Sequence, residues 1–301
     1  MSKNMDVSKR KQSIIAGGLI SSAGIFFAKF IGLFYAVPYN SMLGTADNLA
    51  YYGVAFNIYS YLLNICTAGF PFAIATLIAK YSTRGDYQTS LLIKKLSASL
   101  MTCFGFGMMI IVILFSSPLA ALVMPDEGDS VKTMQMVLIL ISFALFFVPL
   151  LSSIRGFYQG LKHMEIYALS QVLEQVARVA FLLSASAIAV YALHTDQVWA
   201  LYFGVISTSI SAILAIMHLK LYDKKQMREL KRLAKTQEVA GNNDRREILK
   251  ELVFIAFPYL IVAILGYSDT IVNTLFLSKG LEAHGNTDAE ILLISGSINY
   301  G

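Results

Sequence analysis

Charge is scarce in this chain. Asp, Glu, Lys and Arg make up only 14% of its 301 residues, against about 25% in a soluble domain, too few to clothe a water-exposed globule. Cysteine is almost missing. Cys66 and Cys103 stand far apart, inside apolar runs and without a CxxC pattern, which excludes a disulfide framework or thiolate metal cage and leaves two inert core thiols. The four histidines, His163, His194, His218 and His284, lie singly at the ends of apolar runs or in loops, so no zinc or catalytic cluster is expected. P-loop, GxGxxG, HExxH and Ser-His-Asp patterns are lacking. The sequence therefore argues against an enzyme and predicts no cofactor. Transport would have to draw on membrane potential, on H+ or Na+, on the substrate's own gradient, or on a separate ATPase subunit.

Hydrocarbon is what the sequence has instead. Hydrophobic residues make up 56% of it and its mean hydropathy is +0.62. The apolar residues gather in runs of about 20 or more, long enough to cross a ~30 Å bilayer core as helices. Such runs occupy approximately 13–37, 51–79, 96–124, 134–154, 166–193, 198–219 and 252–277. An eighth begins near 289 and has about a dozen residues, too few to span, so the sequence reads as the amino-terminal part of a longer protein, with a short surface helix as the alternative. The fold class expected is all-α, a polytopic membrane helical bundle.

The placement of Lys and Arg gives an independent reading of topology. Segments 1–12, 80–95, 155–165 and 220–251 hold 4, 4, 2 and 10 basic residues, and the alternate connections 38–50, 125–133, 194–197 and 278–290 hold 0, 1, 0 and 1. The positive-inside rule puts the amino terminus in the cytoplasm. The net charge of +5 is accounted for by cytoplasmic loops, and no nucleic-acid partner is implied. The apolar stretch after "MSKNMDVSKRKQS" runs unbroken by a cleavage site, which reads as a retained first span rather than a signal peptide. The long basic segment divides the chain into a six-span lobe (1–222), a cytoplasmic basic loop (223–250) and the start of a second lobe (251–301). The first part of the segment 220–251 can extend the sixth span into the cytoplasm, with Leu221, Met227, Leu230 and Leu233 on a partly apolar face among cations, suited to the anionic inner leaflet.

Polar groups inside spans are costly and mark the interior or a water-filled cavity. Gln171, Glu174, Gln175 and Arg178 fall at i, i+3, i+4 and i+7 of the fifth span, one face of one helix. Glu174 and Arg178 are spaced to pair along the helix. The stripe either locks this helix to a neighbour or lines a cavity where Arg178 meets an anion. Lys29 lies ~24 Å into the first span at 1.5 Å per residue and either snorkels outward or adds positive potential to the same cavity. Gly17, Ser21, Gly24 and Ala28 form a small-residue stripe there, fit for close helix packing. In the second span Asn57, Ser60, Tyr61, Asn64 and Thr67 recur at spacings of three and four, and Gly69 and Pro71 predict a bend after them. They are either interhelical glue or substrate contacts. In the seventh span Asp269 and Asn273 share a face beyond Pro258 and Gly266, so Asp269 is a candidate for ion coupling or a partner for a cation elsewhere.

Three stretches carry a family resemblance: "RGFYQGLKHMEIYALSQVLEQVARVAF" from Arg155 to Phe181, "AKFIGLFYAVPYNSMLG" in the first span and "AGFPFAIATLIAKYSTRGDY" from the second. The chain resembles polysaccharide exporters of the stage V sporulation protein B branch, close to MurJ-type lipid II flippases of Gram-positive bacteria, in the multidrug/oligosaccharidyl-lipid/polysaccharide superfamily. The resemblance implies about fourteen spans in two lobes around a cationic cavity in the bacterial cytoplasmic membrane. The implied substrate is an undecaprenyl-diphosphate-linked glycan, with contacts to cell-wall synthesis machinery as a possibility. Lys29 occupies a position where relatives often carry Arg, which keeps the charge and loses the bidentate fork. On this reading Lys29 and Arg178 attract the diphosphate, Asn57, Asn64 and Gln171 bond head-group atoms, and Glu174 belongs to the same site. A cation-coupled drug exporter of the same superfamily and a truncated, non-transporting membrane protein remain as alternatives.

Overall fold

The computed structural model of the chain describes residues 22–24, 26–27, 29–32, 34–124, 128–242, 244–287, 290–291 and 293–294. Ten α-helices are assigned, with no strand among the described residues. They are α1 (Ala36–Leu43), α2 (Ala46–Thr67), α3 (Phe70–Thr83), α4 (Tyr87–Leu114), α5 (Ser116–Val123), α6 (Asp129–Gly160), α7 (Met164–Ala187), α8 (Val198–Thr236), α9 (Arg245–Gly266) and α10 (Ser268–Ala283). A π-helical turn, Ile188–Ala192, extends α7. Among the described residues, seven helical segments are long and apolar enough to cross a membrane, the first being Ser22–Leu43, which ends in α1. All seven correspond to apolar runs in the sequence. Gly17, Ser21, Ala28 and most of the run expected from 289 lie outside the described residues.

Side chains set several of the helix starts. Thr45 accepts from the Asn48 amide ahead of α2, Asp86 from Thr89 ahead of α4, and Asp244 from Arg246 and Glu247 ahead of α9. Each satisfies a first-turn N–H that has no helical partner. The bend expected in the second span is a complete break: Gly69, at φ +67°, separates α2 from α3, and Pro71 stands in the first turn of α3, where its missing N–H costs nothing. A Cβ on Gly69 would lie 2.6 Å from Tyr259 Cβ on α9, so glycine is needed there for both its backbone and its size. The seventh span breaks too, with α9 ending at Gly266 and α10 starting at Ser268.

Helix α6 is the hub, packing against α2, α3, α4, α5 and α8. Two apolar clusters fill the bundle, one around Tyr39, Tyr52, Leu138 and Ile141, the other around Ile74, Leu77, Phe157 and Tyr158. Large apolar side chains such as Phe106, Leu114, Phe115 and Met217 are exposed around the outside, as a lipid-facing surface requires. Where lipid removes the hydrophobic drive between helices, close approach through small residues takes over. In "GFYQG" Gly156 and Gly160 supply such a seam: a Cβ on Gly156 would stand 2.8 Å from the Pro71 carbonyl oxygen, and one on Gly160 2.7 Å from that of Ala75.

Helix α8 is 39 residues long, about 58 Å at 1.5 Å per residue, so the sixth span continues as one helix well beyond the length of a bilayer core and into the basic segment. The apolar face anticipated for the inner leaflet is mostly used inside the protein. Leu230 is buried in the second cluster and Met227 packs on it, while Leu221 remains exposed. Beyond α8 the connector is held by Asp86. Gln237 Nε2 donates to its Oδ1 at 3.3 Å, the Asn242 amide to its Oδ2 at 3.4 Å, and the Thr89 hydroxyl to Oδ2. Burial raises the Asp86 carboxyl, but these donors outweigh it and hold the pKa below the ordinary carboxylate value.

Two outcomes follow. Gly156→Ala forces α6 off α3 and is expected to cost about 1–3 kcal/mol as overpacking, read as a lowered unfolding temperature in detergent. Gly107→Ala, where a Cβ meets nothing within 4 Å, leaves that temperature unchanged. Because the Asp86 pKa is depressed on folding, its clamp contributes fully above the ordinary carboxylate range and is lost as pH falls through the lowered value. Asp86→Ala is expected to reproduce that loss at neutral pH, as faster tryptic cleavage at Lys235 and Arg245.

Candidate functional site

The polar stripe of α7 faces inward, against α6 and the first span. A cavity of about 380 Å³ opens there, walled by Lys29 and Gly32 of the first span, Arg155 of α6, and Gln171, Glu174, Gln175 and Arg178 of α7. Two glycines let the first span come close. A Cβ on Gly24 would stand 3.2 Å from Ala168 Cβ, and one on Gly32 3.1 Å from the Gln175 amide nitrogen. Gly24 thus does what the small-residue stripe was expected to do.

Arg155 is the residue that sequence reading missed. Its place in the sequence groups it with the basic segment 155–165, but α6 continues to Gly160 and Arg155 is only 8% exposed. Its Nη2 lies 2.7 Å from Glu174 Oε2, and its Nε donates to Ser170 Oγ at 2.6 Å. This corrects the pairing expected along α7: Glu174 pairs across to Arg155, and Arg178 is left to its neighbour Gln175, whose Oε1 accepts from Nη2 at 2.8 Å. The Arg178 Nε is buried with no hydrogen-bond partner among the described residues. The one clue in the sequence was position, since Arg155 directly follows an apolar run and precedes the small-residue "GFYQG" seam.

The other expected residues are spread out. Gln171 lines the cavity, its amide donating to the Tyr167 hydroxyl at 3.1 Å. Lys29 lines it as well, with much of its side chain exposed. Asn57 and Asn64 do not line it. Asn64 donates to the Ser60 carbonyl at 2.8 Å and Thr67 to that of Leu63 at 2.7 Å, so these groups are satisfied within α2. That helix approaches the site instead through Tyr59, within electrostatic reach of Glu174 and Arg178. Asp269 is exposed in the first turn of α10 and is not among the residues that line the cavity.

A cationic cavity between membrane helices can be compared with known proteins. The family model described as polysaccharide biosynthesis protein matches residues 14–293. The chain belongs to this family. Among curated members it is similar to the lipid II flippase MurJ of Bacillus subtilis (strain 168), 31% identical over 257 residues, which cover 83% of this chain and 46% of that protein. It is also similar to stage V sporulation protein B of the same organism, 28% identical over 171 residues, 56% of this chain and 32% of that protein. The chain thus spans less than half the length of the curated relatives it matches. The fold is shared with the crystal structure of a eukaryotic MATE transporter, AtDTX14, at a TM-score of 0.64 and 14% identity, over 96% of this chain and 60% of that one.

Among the described residues the cavity sets three cations, Lys29, Arg155 and Arg178, against one carboxylate, and that carboxylate is paired with Arg155. What remains is positive charge with an unpaired guanidinium N–H, a site for an anion with several acceptor oxygens. The Arg155–Glu174 pair is mostly buried, with side chains 10% and 22% exposed, so removing one partner strands the other at a cost of about 3–5 kcal/mol. Glu174→Ala is therefore expected to lower the unfolding temperature in detergent markedly, and Arg178→Ala, which breaks no ion pair, to leave it within a degree or so. Equal losses would show that Arg178 is structural.

Proposed function

We propose that this chain provides the cationic cavity of a flippase or exporter that moves an undecaprenyl-diphosphate-linked glycan, a peptidoglycan precursor or a related polysaccharide unit, across the bacterial cytoplasmic membrane. The observation that carries this reading is the Arg178 guanidinium, buried at Nε without a hydrogen-bond partner among the described residues and lining, with Lys29, a cavity in which the one acid among the described residues pairs with Arg155. A diphosphate brings acceptor oxygens and negative charge in a compact group, and a guanidinium in a poorly solvated site binds it by charge-assisted hydrogen bonds. The similarity to a lipid II flippase over most of the chain supports the substrate class.

In this proposal Lys29 and Arg178 attract the diphosphate, and Gln171 and Gln175 supply hydrogen bonds around it. Asn57 and Asn64 reach the head group only in a state that brings α2 nearer. Two lobes rock about the site, and the breaks at Gly69 and between α9 and α10 are where the chain can flex. Membrane potential, H+ or Na+ drives the cycle. Asp269, which does not line the cavity, would couple an ion to movement of the lobes rather than to the head group. The amino terminus is cytoplasmic, and cell-wall synthesis proteins are the expected neighbours.

In cells whose outer-leaflet exposure of lipid-linked precursor depends on this protein, Arg178→Ala is expected to reduce that exposure at least about tenfold, the effect of losing ~1.4 kcal/mol, at unchanged membrane abundance. Wild-type exposure in that variant would refute the proposed role.

A further inference from the structure

A second, larger crevice of about 1080 Å³ lies between the end of α3 and the start of α9. It shares no lining residue with the cationic cavity. On α9 Arg246, Lys250, Phe254 and Phe257 fall at i, i+4, i+8 and i+11, one face of the helix, and Val253 lies beside them. The cations occupy the first two turns and the apolar side chains the next two, with Phe254 80% exposed. From Arg246 to Phe254 is about 12 Å along the axis.

Glu251 pairs with Lys80 across the crevice, and Glu247 accepts from Asn242 Nδ2 at 3.0 Å but keeps its charge, so Lys80, Arg245, Arg246 and Lys250 against Glu247 and Glu251 leave the lining net positive by two. Arg245, Arg246 and Lys250 have no ion pair among the described residues. A face that is cationic at the membrane surface and aromatic one or two turns deeper matches one molecule in both halves. A soluble anion would leave the aromatic wall uncovered, and an apolar helix would bury three unpaired cations. By the positive-inside reading this end of α9 is cytoplasmic.

We propose that this crevice binds an anionic glycerophospholipid of the inner leaflet. Arg246 and Lys250 take the phosphate, with Arg245 adding charge at the rim, and Val253, Phe254 and Phe257 take the upper acyl chain. Basic pockets between membrane helices on the cytoplasmic side recognise lipid head groups through this combination. The inference stands apart from the proposed cargo, since it concerns the bilayer's own lipid and different residues.

The test is native mass spectrometry of the purified protein in neutral detergent, titrated with dioleoyl phosphatidylglycerol or dioleoyl phosphatidylcholine. At about 1 kcal/mol per cation near the surface, phosphatidylglycerol should bind about tenfold or more tighter, and R246Q/K250Q should abolish the preference at an unchanged unfolding temperature. If that variant unfolds, Phe254→Ser serves instead, and it should weaken retention of phosphatidylglycerol while leaving the charges in place. Equal affinity for the two lipids, a preference that survives R246Q/K250Q, or a Phe254→Ser variant that retains lipid as wild type does would each overturn the site. So would displacement of the lipid by glycerol phosphate at equal concentration, which would mark a site for free phosphate.

Discussion

A guanidinium inside a membrane helix has to find a partner, and much of the site follows from how Arg155 finds one. Its ion pair with Glu174 and its bond to Ser170 tie α6 to α7 at two points one turn apart. Because α6 is also the hub of the bundle, that tie fixes the rotation of α7 relative to everything else. With Glu174 turned toward α6, Gln171 and Arg178 face the first span, and the cavity results. In water such a pair would contribute little; in a dry interior its integrity matters because an orphaned charge there is expensive.

The same economy of polar groups explains the division of labour among helices. Side chains of α2 that looked available for a ligand bond their own helix, which is the cheapest satisfaction in hydrocarbon. Only where two helices offer each other complementary charge does a polar group leave its own backbone. Small residues then decide how near the partners come. Gly156 and Gly160 seat α3 on α6, and Gly24 and Gly32 seat the first span on α7. The glycine seams and the ion pair are therefore parts of one arrangement, the first setting separation and the second setting rotation.

Breaks in the helices are placed with equal specificity. Gly69 and Pro71 divide the second span where Tyr259 of α9 presses against it, and Phe72 meets Tyr259 with ring centroids 5.3 Å apart. The interrupted helix thus touches the helix that follows the long connector, and that connector is itself fastened by Asp86. Helix α9 is held to the first six spans at both ends of its contact, by the cap network at its start and by the aromatic contact near Pro258.

The seven spans, their order and a bend near Gly69 were legible in the sequence, because hydropathy and the geometry of Gly and Pro act locally and need no partner to be read. So was the stripe of α7, since 3.6-residue periodicity alone puts Gln171, Glu174 and Arg178 on one face. What periodicity does not contain is the neighbour across the interface. Glu174 has an Arg at i+4 on its own helix and pairs instead with Arg155, nineteen residues earlier in the chain on a neighbouring helix. The spacing in the sequence determined which groups share a surface. The tertiary packing decided which of them meet in ion pairs and which, like Arg178, do not, since burial and distance between helices exist only once the helices have met.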